Sequence, residues 1–178
     1  MIIPNSHVTS RKGTRSEYRG KKRETFEGEL LDALKGAGVH LVVLAGWMRI
    51  LTPSFVKNYP QRMMNIHPAL LPLFGGKGMY GERVHRAVLA SGMKVSGCTV
   101  HYVTEDVDAG PIIVQQPVRV KEDDTPETLA DRVLVYEHRI YSKAIQLHID
   151  GRTKVERVKM DIGGGKIKEG LVVRIDYG

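Results

Sequence analysis

The apolar positions of this chain fall into runs of two kinds. "HLVVLAG", residues 40–46, is continuously apolar up to a glycine, the pattern of a strand covered on both faces. In front of it, "ETFEGELLDALKGAG" spaces Phe26, Leu30 and Leu34 as a helical stripe that Gly36 or Gly38 stops. A helix followed by a buried strand is the signature of a parallel α/β sheet. The pattern further predicts a short strand over 62–67, a helix over 82–91 ended by Gly92, and a strand in "CTVHYV". A fourth strand lies in "GPIIVQQPVRV", where Pro117 suits a sheet edge or a bulge.

The longest helix is the clearest. Asp124 or Thr125 can cap it, Pro126 suits its first turn, and Gly151 closes it. Between them Leu129, Val133, Tyr136, Ile140, Ala144 and Leu147 step by threes and fours. The tail, "KVERVKMDIGGGKIKEGLVVRI", predicts two strands around a glycine turn. Residues 1–152 are thus expected to form one α/β domain, and residues 153–178 a strand hairpin packed on it.

Composition narrows the class. With 178 residues, 42% apolar and 26% charged, the chain can bury the core of one globular domain. No apolar run approaches ~18 residues, so no spanning helix and no membrane partner is expected. The start lacks an apolar stretch of signal-peptide length. Cys98, the single cysteine, excludes an internal disulfide and a cysteine-rich metal site, which makes a reducing, cytoplasmic setting the simplest expectation. The net charge of +7 sits at the ends: residues 11–23 hold seven Lys/Arg and residues 152–178 another seven, while 24–151 hold 13 bases and 15 acids. Few aromatics interleave these bases, so solvated ends or attraction of an anionic substrate fit them better than a nucleic-acid groove.

Chemistry concentrates in "NIHPALLP", residues 65–72. In an extended segment Asn65 and His67 point the same way, and Pro68 keeps His67 extended. They end a strand on the side where α/β sheets hold their ligands. An amide that donates and accepts, beside an imidazole that passes protons near neutrality, suits attack on a carbonyl. The same string also serves to satisfy backbone groups in ordinary turns. "TEDVDAGPII", residues 104–113, places three acids in a loop between strands. Such loops are commonly solvated surface, but a carboxylate at Asp108 could also bond a histidine and favour its protonated form. The remaining histidines show no ligand spacing, and no metal site is expected. No Gly-x-Ser-x-Gly elbow or P-loop is present.

In order, "LVVLAGWMRIL", "NIHPALLP", "GCTVHYV", "DAGPIIVQ", "DTPETL" and "EHRIY" resemble the phosphoribosylglycinamide formyltransferase family over roughly residues 10–152. The resemblance implies an α/β, formyltransferase-like, Rossmann-type fold with a mostly parallel sheet and flanking helices. It implies transfer of a formyl group from 10-formyltetrahydrofolate to the amine of glycinamide ribonucleotide in purine synthesis, a step of one-carbon metabolism. On that basis Asn65 positions the formyl oxygen and the amine, His67 is the general acid, and Asp108 keeps His67 protonated and orders a proton-carrying water. Met48, Arg49, Ile50 and Leu51 match one wall of the pterin pocket. Val103, Thr104, Glu105, Asp106, Val107 and Asp108 match the other. Arg15 resembles an arginine near the folate, and Glu137 a carboxylate that contacts the nucleotide substrate.

The chain also departs from the family pattern. A family strand, a Gly-Ser-Asn phosphate loop, a helix and a further strand are expected ahead of the matching part and are absent, so the fold is expected to be N-terminally truncated. That would expose an apolar edge or face around "HLVVLAG", open to self-association. Residues 73–84 form a longer loop than the family's compact version. Formyltetrahydrofolate hydrolysis, formylation of an aminoacyl-tRNA, and a non-catalytic folate-binding fragment stand as the alternatives.

Overall fold

The computed structural model describes residues 2–4, 22–47 and 49–178. Its elements in chain order are β1 (Ile2–Pro4), α1 (Arg23–Gly36), β2 (Val39–Leu44), α2 (Pro53–Val56), β3 (Met63–His67) and α3 (Glu82–Ala90). Then follow β4 (Val95–Tyr102), β5 (Ile112–Arg119), α4 (Pro126–Ile149), β6 (Thr153–Asp161) and β7 (Ile167–Ile175).

The helices end where the local chemistry dictates. Gly38, at φ +61°, takes the left-handed turn after α1. Thr125 caps α4 reciprocally: its hydroxyl accepts the Thr128 amide at 3.3 Å, and the Thr128 hydroxyl accepts the Thr125 amide at 2.9 Å. Leu129, Val133, Ile140, Ala144 and Leu147 of α4 are buried as the spacing predicts. On α1 the stripe is only partly inward: Leu34 is buried, whereas Phe26 and Leu30 are half-buried. The buried group beside them is Glu27, whose carboxylate accepts the Thr52 amide at 3.1 Å and the Thr52 hydroxyl. Thr52 in turn caps α2, so this carboxylate ties α1 to the chain that leaves β2.

Five strands form one sheet in the order β1-β2-β3-β4-β5, and β6 pairs with β7 in a second. β2 is covered on both faces, as its continuous apolar run requires. Leu41 and Val43 join Met64, Val100, Leu129 and Val133 in one core, while Val39 and Val42 join Leu34, Phe55, Tyr59 and Met63 in another. Pro117 does mark an edge, since β5 is the last strand and Pro117 faces Gly97 of β4.

Two expectations need correcting. The α/β formyltransferase-type fold is present, but the parallel character expected of its sheet is confined, among the described strands, to β2–β3; β1–β2, β3–β4 and β4–β5 are antiparallel. The connection 103–111 explains one of these, because a parallel crossover takes roughly a dozen residues or more. The edge of β2 is covered in part: β1 pairs along it with Ile2 opposite Val42, Ile3 opposite Leu41 and Pro4 opposite Val39.

The tail forms the hairpin its sequence predicts, with Gly163, Gly164 and Gly165 all at positive φ in the turn. Val155, Val173 and Ile175 pack against the main core.

Candidate functional site

β3 and β4 lie antiparallel with Asn65 directly opposite His101 and His67 opposite Thr99. Groups on one face of such a pair stand close enough to touch. Here the Asn65 amide nitrogen lies 3.5 Å from His101 Nε2. After β4, the chain turns back through 103–111 and sets Asp108 over both rings. Asp108 Oδ2 is 3.5 Å from His67 Nδ1, and Oδ1 is 3.7 Å from His101 Nε2. Asp108 holds φ +55°, a left-handed conformation that aspartate tolerates better than most residues. The turn closes because Gly110 has no side chain: a Cβ there would sit 1.8 Å from the Tyr102 carbonyl oxygen.

The loop after β3 completes the arrangement. The Gly76 amide donates to Asp108 Oδ2 at 2.9 Å, and Gly75 packs so closely that a Cβ would meet Asp108 Cβ at 3.2 Å. His67 Nε2 lies 2.8 Å from the Phe74 carbonyl oxygen. A carbonyl only accepts, so Nε2 carries a proton, and Nδ1 is the ring atom left facing the carboxylate. The same logic applies to His101, whose Nδ1 is 2.9 Å from the Tyr102 carbonyl and therefore donates to it.

These groups line a cavity of about 780 Å³, within the range of small-molecule sites. Asn65, His67 and Asp108 are brought together on its wall, with Arg49, Ile50 and Leu51 on one side and Val103–Asp108 on another. Glu137, projecting from α4, lines it as well. Burial pushes the Glu137 carboxyl up, partly offset by His138. Arg15 and Met48 lie outside the described residues. Cys98 belongs to the core, where burial pushes its thiol up to about 12, so it offers no nucleophile.

In the sequence His101 is one more histidine without ligand spacing. Its place opposite Asn65 depends on strand register, and the pairing of β4 with β5 shifts at Val100/His101. The inward alternation of "CTVHYV" was the one available signal. The backbone contributions of Phe74 and Gly76 left no trace in side-chain chemistry.

Residues 3–145 match the family model described as formyl transferase. The chain belongs to the formyl transferase family. It is 48% identical over 137 residues to the chloroplastic phosphoribosylglycinamide formyltransferase of Arabidopsis thaliana, covering 75% of this chain and 47% of that protein. It is 41% identical over 133 residues to the phosphoribosylglycinamide formyltransferase of Escherichia coli, covering 75% and 60%. Among solved structures, glycinamide ribonucleotide transformylase 1 from Symbiobacterium toebii superposes with a TM-score of 0.72 at 43% identity, covering 90% of this chain and 66% of that one. The chain therefore spans between about half and two thirds of the length of these formyl transferases. Its described cavity groups all fall inside the family match.

Proposed function

We propose that this formyl transferase moves a formyl group from 10-formyltetrahydrofolate to the amine of glycinamide ribonucleotide, with Asn65, His67 and Asp108 at the reacting carbon. The observation that carries this reading is the convergence of one amide, one imidazole and one carboxylate on a single cavity wall, in a chain whose relatives bear that enzyme's name.

The chemistry asks for little more. The amine attacks the formyl carbon and the formyl oxygen becomes an oxyanion. His67 Nε2–H is already given to the Phe74 carbonyl, so Nδ1 is the atom that serves the cavity. With a second proton on Nδ1, the ring donates to the oxyanion while Asp108 balances its charge at 3.5 Å. The proton lost by the attacking amine passes toward Asp108, directly or through a water. Collapse of the intermediate re-forms the carbonyl and breaks the bond to the folate nitrogen, which leaves as the neutral amine carrying the proton that Asp108, or the water beside it, returns. A positioned general acid supplies ~10²–10⁴-fold, and removal of one oxyanion donor costs about 3–4 kcal/mol.

The pterin is assigned to the wall formed by Arg49, Ile50 and Leu51 with Val103–Asp108, and the nucleotide to the side of Glu137. Ionisation of Glu137 against a ribose hydroxyl would reverse the effect of its burial. The test is product analysis with 10-formyltetrahydrofolate, with and without glycinamide ribonucleotide. Formylated ribonucleotide, dependent on the amine, supports transfer. Free formate released without the amine would replace this reading with hydrolysis.

A further inference from the structure

We propose that His101 is a positioning residue: its neutral ring accepts from the Asn65 amide NH₂ and so turns the Asn65 carbonyl oxygen into the cavity to receive the attacking amine. The proposal rests on the formyl-transfer reading above and assigns within it what each end of Asn65 does.

The steps are atomic. His101 is 2% exposed, and its Nδ1 is committed as a donor to the Tyr102 carbonyl at 2.9 Å. In a neutral imidazole only one nitrogen carries hydrogen, so Nε2 is then an acceptor. Nε2 faces two groups, the Asn65 amide nitrogen at 3.5 Å and Asp108 Oδ1 at 3.7 Å. Only the amide can donate to a lone pair. The charged and titratable neighbours of the ring are Asp108 from the 103–111 loop and His67 from β3; burial favours the neutral ring most strongly, and His67 adds to that, whereas Asp108 and the Tyr102 carbonyl oppose it.

Asn65 has two ends, and fixing one fixes the other. Its Oδ1 has no protein partner among the described residues, and Asn65 lines the cavity. An acceptor presented there suits the N–H of an incoming amine and would repel a formyl oxygen. His67 then meets the developing oxyanion, with the second hydrogen of the Asn65 amide free beside it. Amine and formyl oxygen are thus sorted by opposite hydrogen-bonding character, and the sorter is a histidine that touches neither.

Three measurements on the intact chain decide this. In ¹⁵N-histidine-labelled protein, His101 is expected as the neutral, Nδ1-protonated ring near neutral pH; a neutral ring with its proton on Nε2, or a charged ring there, would overturn the proposal. Asn65→Asp replaces the donor facing Nε2 by an acceptor, so the His101 midpoint should rise; an unchanged midpoint would overturn it too. In kinetics, His101→Leu should lower kcat about 10–100-fold with little change in KM for the folate, because only orientation is lost. His101→Gln, which retains an acceptor oxygen, should recover part of that loss. Equal loss in both variants, each shown to be folded by circular dichroism, counts against positioning. Should the unsubstituted chain transfer no formyl group at all, the formyl-transfer reading fails, while the two spectroscopic results still decide the contact.

Discussion

Asp108 Oδ2 lies 3.5 Å from His67 Nδ1 and accepts the Gly76 amide at 2.9 Å, so one oxygen joins the loop after β3 to the loop after β4. The carboxylate is therefore both a charge beside the imidazole and a clasp between two segments. Asp108→Asn separates these roles. Asparagine tolerates the left-handed backbone at φ +55° and keeps an oxygen for Gly76, but it carries no charge. The expected result is a fall in kcat of about 10²-fold or more with an unchanged melting temperature, read by steady-state kinetics and calorimetry.

Gly110→Ala tests how Asp108 reaches its place. The added Cβ would stand 1.8 Å from the backbone oxygen of Tyr102, which cannot move aside without distorting β4. Stability should drop by about 1–3 kcal/mol and activity with it, in denaturant titration and formyl-transfer assay.

Tyr141→Phe tests the support beneath Asn65. The buried Tyr141 hydroxyl sits 2.7 Å from the Leu44 carbonyl and 3.0 Å from the Met64 carbonyl, bridging the ends of β2 and β3. Removing this donor should cost about 1–3 kcal/mol in urea unfolding, with the cavity groups still in place.

The acid side of the stability profile should carry Asp124. Its side chain is 2% exposed and bonded by Arg132, which holds the carboxyl well below the usual range, assisted by the Lys121 amide and Thr128. A depressed folded value means the stabilisation is fully present above the ordinary aspartate value of 3.8 and fades as pH falls below it. Asp124→Asn should lower stability by about 1–3 kcal/mol at pH 7 and by progressively less as the pH drops under that value. Melting curves from neutral pH to strong acid check this.

Most elements were legible because periodicity and punctuation are local. The α4 cap at Thr125, the stop at Gly92, the edge at Pro117 and the doubly buried β2 each follow from neighbours within a few residues. What could not be read depends on pairing across the chain. Glu27 is buried because Thr52, 25 residues away, offers it an amide and a hydroxyl, and no helical stripe announces that. β1 is three residues long, too short to show a period, and strand direction leaves no mark in composition. Asn65 and His67 stood out through their proline, whereas His101 became visible only once β4 lay beside β3.

The most direct test of the proposed chemistry is His67→Ala, with kcat and folate affinity measured on the same preparation. A general acid acting through Nδ1 predicts a loss of at least ~10²-fold in kcat with binding of a non-reactive folate analogue nearly intact. A variant that turns over at the unsubstituted rate would remove His67 from the reaction and the proposed mechanism with it.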